Sequence, residues 1–151
     1  MKATNRVYVR RKFNCSVSEL FDWLVKPDLI VKWFGPEHLT VGRVQTDVQV
    51  GGQYSIELKS ARTASFFIRG EYLEIRAPEL LTFSFEYGGL PSAPPKSTVK
   101  IRLEQIAERE SFLSLTQYFD TIPSDMDRRT KTWVHMLRVL DENIKVPKKL
   151  N

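Results

Sequence analysis

Residues able to act as acids, bases, nucleophiles or metal ligands are few in this sequence and far apart. There are two histidines, His38 and His135, and one cysteine, Cys15. Neither histidine belongs to an H-x-x-x-H or H-E-x-x-H pair, and a single cysteine cannot build a thiolate metal site, so metal chemistry has no sequence signature. Cys15 stands just before a helix cap with no sequence-evident base nearby, which reads as a small inert core residue and not as a nucleophile. Carboxylates are plentiful, but Glu57 and Glu104 fall on the polar phase of strands. Glu71 and Glu86 are the candidates for inward projection, and no pair of carboxylates has a spacing that identifies proton transfer. Gly51-Gly52 is followed neither by a helix pattern nor by a lysine, so it is not a phosphate-cradling loop. The chemistry left over is burial of rings. Aromatics make up 11% of the chain, and they gather on strand positions of one phase and at Trp33 and Trp133.

These positions need elements to hold them. Val7 and Val9 alternate with Tyr8 and Arg10, as in a half-buried strand. Ser16-Val17-Ser18-Glu19 has the form of a capping box, and Val17, Leu20, Phe21 and Leu24 follow at helical spacing. Pro27 ends that helix and stands near the first position of another short one over 28–32. Trp33 and Phe34, just ahead of a rigid Gly35-Pro36 corner, are set to wedge between helix and sheet.

Beyond Pro36 the period becomes two. Gly51-Gly52 suits a tight hairpin turn, with Asp47 available to bond its backbone. Tyr54, Ile56 and Leu58 share a face, as do Leu81, Phe83, Phe85 and Tyr87, then Val99, Ile101 and Leu103, then Leu113, Leu115, Gln117 and Phe119. A further strand spans 66–75, with Gly70 suggesting a bulge. The Pro/Gly-dense stretch 88–96 joins two of these strands as a hairpin loop. The pattern predicts an antiparallel meander of about six or seven strands. A long last helix follows, with Ser124 as its cap and a stripe of Met126, Thr130, Trp133, Leu137, Leu140 and Ile144 facing the sheet.

At 151 residues this is one α+β domain, expected over 1–151. No apolar run approaches the ~20 residues that cross a bilayer, the first residues lack a signal-peptide core, and one cysteine suits a reducing compartment. A cytoplasmic protein is therefore expected, without membrane insertion. The net charge of +5 comes from separated clusters around Arg10, Arg128-Arg129-Lys131 and Lys145-Lys148-Lys149. No nucleic-acid-binding spacing accompanies them, so they read as solvated surface.

The order of elements resembles the helix-grip fold of the START-like (SRPBCC, birch-pollen-allergen-like) superfamily. Trp33-Phe34-Gly35-Pro36, then Asp47 with Gly51-Gly52, resemble the branch related to the C-terminal domain of the activator of heat-shock-protein-90 ATPase. Gly70-Glu71-Tyr72, Pro78-Glu79-Leu80-Leu81-Thr82 and Trp133 with Leu137 and Leu140 extend the resemblance over nearly the whole chain. Thr132 stands where that family usually has Gly, and Leu80 where it often has Arg. The full co-chaperone also carries a separate N-terminal domain with no counterpart in this sequence.

The resemblance implies a curved sheet gripping the last helix and a cavity between them. Its expected lining is Trp33, Tyr54, Phe67, Phe83, Phe85, Tyr118, Trp133 and Leu137, with Gln117 and Tyr118 as inward polar groups. The expected function is non-catalytic binding of an apolar or amphipathic small molecule, with no cofactor and no metal. The alternatives are a chaperone-linked protein-interaction module using Arg128, Arg129 and Lys131, and, behind both, a cyclase- or dehydratase-like enzyme.

Overall fold

The computed structural model describes residues 6–62, 64–89 and 95–146. Its first strand is β1 (Arg6–Phe13), followed by helices α1 (Val17–Val25) and α2 (Pro27–Trp33). Strands β2 (Thr40–Thr46), β3 (Gln53–Lys59), β4 (Phe66–Arg76), β5 (Leu80–Gly88), β6 (Ser97–Ala107) and β7 (Glu110–Phe119) come next, and helix α3 (Met126–Lys145) ends the fold. The strands form one seven-stranded sheet in the order β1-β7-β6-β5-β4-β3-β2. Each neighbouring pair is antiparallel. The sheet is a meander from β2 to β7, and β1 closes onto the last strand. The loop expected at 88–96 does join adjacent strands, although 90–94 lie outside the described residues.

The helices begin and end as their local chemistry requires. The Ser16 hydroxyl accepts the Glu19 backbone N–H at 3.2 Å, and α1 buries Leu20, Phe21, Leu24 and Val25. Pro27 takes the first turn of α2, where a missing N–H costs nothing. Helix α3 buries Trp133, Met136, Leu137, Leu140 and Asp141. Fully burying each large apolar side chain in this stripe contributes about 1.5–3 kcal/mol, which is why the helix lies on the sheet. One expectation for α3 changes. Its N-cap position is Asp125, not Ser124, and Asp125 makes no side-chain cap bond but accepts from Arg129 Nε at 2.9 Å. Asp141, outside the apolar stripe, is buried because Arg11 of β1 and Lys145 flank it at 3.0 and 2.9 Å.

The tight turn expected at Gly51-Gly52 is instead part of a longer connection: residues 47–52 join β2 to β3, Gly52 N–H bonds the Gln49 carbonyl at 2.8 Å, and only Gly51 takes a positive φ, +87°. Asp47 joins it through its backbone, while its carboxylate accepts from the Gln49 side chain at 2.9 Å. The β4 irregularity is not at Gly70: the register against β5 shifts between Tyr72 and Glu74. Gly70 has a different reason to lack a side chain. A Cβ there would meet the Ser84 carbonyl oxygen at 1.9 Å and the Tyr54 ring at 2.8 Å. Through that opening the Tyr54 hydroxyl donates to the Ser84 carbonyl at 2.6 Å. Among the described residues no helix is long and apolar enough to cross a membrane.

Candidate functional site

The seam between sheet and α3 is built from rings delivered by four elements. At the end of α2, the Trp33 indole N–H donates to the Trp23 carbonyl at 2.9 Å, which fixes the ring against α1. Phe34 packs edge-on to Trp33 at 5.6 Å and to Trp133 of α3 at 6.2 Å. Phe85 of β5 lies 6.1 Å from Trp133, and Phe83 lies 5.4 Å from Tyr54 of β3. Gly35 turns the chain immediately after Phe34 with φ +125°, a conformation that a side chain would strain. Its N–H points to the Met136 sulfur at 3.2 Å, so the corner is tied to α3.

Two spaces flank these rings. The inner one is a cavity of about 40 Å³ lined by Trp33, Tyr54, Phe83, Phe85 and Trp133 among other apolar side chains. That is room for a few waters at most. The outer one is a groove of about 260 Å³ between the start of α3, the corner after α2 and the ends of β4 and β5. Its floor includes Leu58, Ile68, Phe85 and Trp133, and its mouth Tyr87, Asp125, Arg128, Arg129 and Thr132. Phe34, Phe85 and Trp133 belong to both spaces, so these three rings are the wall between them.

One polar chain crosses this apolar seam. Trp133 Nε1 donates to Gln117 Oε1 at 2.8 Å, Gln117 Nε2 donates to Ser97 Oγ at 2.8 Å, and Ser97 Oγ donates to the Phe85 carbonyl at 3.5 Å. Each member is buried, so the chain satisfies groups that would otherwise cost free energy. Gln117 also lines the outer groove.

Of the residues expected in the lining, Trp33, Tyr54, Phe83, Phe85 and Trp133 come together as described. Leu137 is buried but lines neither space. Phe67 and Tyr118 are corrected: they are 38% and 40% exposed, on the outer face of the sheet. Their neighbours Phe66 and Ile68, and Gln117 and Phe119, take the inner positions, and strand alternation turns the residues between them outward. Tyr118 is therefore no inward polar group. Glu71 and Glu86 also do not project inward. Glu71 is exposed, and Glu86 pairs with Arg69 at 3.2 Å and Lys96 at 3.3 Å.

The titratable groups fit a dry seam. Burial, reinforced by Tyr72, Glu86 and Tyr87, pushes the Tyr54 phenol well above its ordinary range, and burial takes Tyr72 to about 12. Burial also raises Tyr87, against the opposing pull of the Arg129 guanidinium that bonds it. Cys15 is raised to about 11, chiefly by burial, which leaves it a thiol. His135 lies on α3 with Nδ1 3.2 Å from Arg138, and His38 sits in the loop after Pro36 with φ +70°. Among the described residues no group of three or more His, Cys, Asp or Glu could hold a metal ion.

A curved antiparallel sheet gripping a long last helix, with two short helices closing one end, defines a helix-grip protein of the START-like superfamily. Residues 14–145 match the family described as activator of Hsp90 ATPase homolog 1-like protein, and the chain belongs to that family. Similar solved structures share the fold. Protein CV1439 from Chromobacterium violaceum is 20% identical with a TM-score of 0.82, over 95% of this chain and 99% of its own. Protein NE0264 from Nitrosomonas europaea is 19% identical with a TM-score of 0.81, over 96% and 97%. The AHSA1 (SPO3351) protein from Silicibacter pomeroyi is 20% identical with a TM-score of 0.76, over 92% and 96%. No curated protein matches the sequence.

Proposed function

We propose that this domain binds a small apolar or amphipathic molecule in the groove between α3 and the corner after α2. The observation that carries this reading is the ring wall. Phe34, Phe85 and Trp133 floor an open groove of about 260 Å³ on one side and bound the small interior cavity on the other. A groove of this size is just below the roughly 300–1,000 Å³ of ordinary ligand sites. A displacement of Phe34 alone would join it to the inner space and bring it into that range.

Phe34 is the member of the wall able to make that movement, whereas Trp133 is held by Gln117. Phe34 is held by edge contacts and by a glycine corner, not by a hydrogen-bonded side chain, and Gly35-Pro36 separates it from β2. Ligand transfer into this seam replaces water over apolar surface with ring contacts, at about 25 cal/mol per Å² of surface covered.

Thermal-shift measurements and native mass spectrometry with a panel of aromatic and aliphatic amphiphiles test the reading. A variant with Thr132→Trp fills the groove from the helix side without altering the core. Stabilisation of the parent protein that the Thr132→Trp protein lacks supports the site. No stabilisation by any amphiphile, or equal stabilisation of both proteins, counts against it.

A second reading has its own observation. Arg128 and Lys131 are exposed on the first turns of α3, a surface that would suit an acidic protein partner, whereas Arg129 is occupied by Asp125. Recovery of the same partners by an Arg128→Glu/Lys131→Glu protein would argue against it.

A further inference from the structure

The groove has a charged mouth, and the charges are unevenly matched. Asp125 is paired with Arg129 at 2.9 Å, and the nearly buried Arg129 guanidinium also lies 5.1 Å over the Phe119 ring. That pair is internally neutral. Arg128 also lines the groove, and it lines an adjoining surface recess of about 360 Å³ with Glu37, Lys131, Thr132 and His135. Arg128 and Thr132 therefore belong to both spaces, and the apolar groove opens directly into the recess. The fixed charges facing the recess are Arg128 and Lys131 against Glu37. Among the described residues neither Arg128 nor Lys131 has an ion-pair partner.

A purely hydrocarbon ligand would leave this excess positive charge unused, and a cationic head would be repelled by it. A carboxylate fits, because a guanidinium presents a fork of donors matched to its two oxygens and an ammonium adds a point charge beside it. Size narrows the tail. A cavity of roughly 150 Å³ accepts one benzene, so about 260 Å³ takes one ring with a short chain.

We propose that the groove takes an aryl-alkyl carboxylate, its ring against Phe85 and Trp133 and its carboxylate at Arg128 with Lys131. This rests on the reading of the groove as a ligand site and names the ligand's class. Phenylbutyrate and phenylbutanol share ring and chain and differ in the head group, so they separate the two claims.

Isothermal titration calorimetry at low salt compares both compounds on the parent protein, on Arg128→Gln/Lys131→Gln and on Thr132→Trp. Both cations are exposed, so their neutral variants keep the fold, which an unchanged melting temperature confirms. The expected result is phenylbutyrate binding about tenfold more tightly than phenylbutanol, the difference that a charge-assisted hydrogen bond carries. The Gln/Gln protein should hold phenylbutyrate no better than the alcohol, and the Thr132→Trp protein should bind neither. Equal affinity for acid and alcohol on the parent protein overturns the head-group assignment and leaves the groove standing. A preference that survives in the Gln/Gln protein overturns it too. Binding of neither compound to the parent overturns the groove reading and the assignment with it.

Discussion

The indole N–H of Trp133 and the carboxamide oxygen of Gln117 meet at 2.8 Å, helix to sheet, where both side chains are almost wholly buried. This bond sets the rotation of the Trp133 ring, and with it the floor of the groove and one wall of the inner cavity. Gln117 is held in turn by Ser97. Position and satisfaction are thus coupled: the amide that aims the ring is itself aimed from β6.

Replacing Gln117 with Leu keeps the volume and strands the indole N–H in an apolar seam. An unsatisfied buried donor costs about 1–3 kcal/mol. Denaturant unfolding should show a loss of that size. Trp133→Phe, which removes the donor as well, should cost less in the Gln117→Leu background than in the parent protein.

Phe34→Ala removes a ring from the wall and should merge the groove with the inner cavity. Large-to-small core changes of this kind cost about 3–5 kcal/mol. An added aromatic ligand should restore more melting temperature to this variant than to the parent protein, because it refills the vacated volume.

Gly70→Ala places a methyl 1.9 Å from the Ser84 carbonyl oxygen, on backbone that cannot step aside. The loss should exceed the roughly 1–3 kcal/mol usual for overpacking. Tyr54→Phe, which deletes only the hydroxyl bonded to that carbonyl, should cost about 1 kcal/mol. Chemical denaturation of the two variants side by side checks the ranking.

Asp141 predicts an acid limit to stability. Burial raises its pKa, but Lys145 and Arg11 outweigh that and hold the carboxyl below its ordinary value. A depressed folded-state pKa contributes stability that is fully present above the unfolded value of about 3.9 and is lost as pH falls through the lower folded value. Asp141→Asn should therefore lower stability at neutral pH by about 1–3 kcal/mol and flatten the acid limb of a stability–pH curve. A variant that unfolds in acid as steeply as the parent would show that other carboxylates set the limit.

Much of this architecture is legible in local pattern. Ser16 with Glu19, Pro27 and the alternating runs of β3, β5, β6 and β7 each carry a short-range signal, and each forms as its pattern requires. The lining is only half legible. Tyr118 stands between Gln117 and Phe119, so its phase already points outward, and its aromatic character is no guide to its face. Phe67 is harder, because Phe66-Phe67-Ile68 is apolar at each position and gives no alternation to read. The groove has no local signature: Leu58 of β3, Phe85 of β5, and Arg128 and Thr132 of α3 come from three separate elements and meet only in the folded chain. Asp141 is likewise silent in sequence, since its burial depends on Arg11, 130 positions away.

The most direct test of a ligand site at the α3 seam is the indole N–H resonance of Trp133 during titration with phenylbutyrate, followed by heteronuclear NMR. The account predicts that this signal and the backbone signals of Phe34, Gly35 and Phe85 shift together along one saturable curve, while Tyr8 and Leu73 on the outer face stay still. Saturable shifts confined to the outer face, or a Trp133 indole signal that never moves, would contradict it.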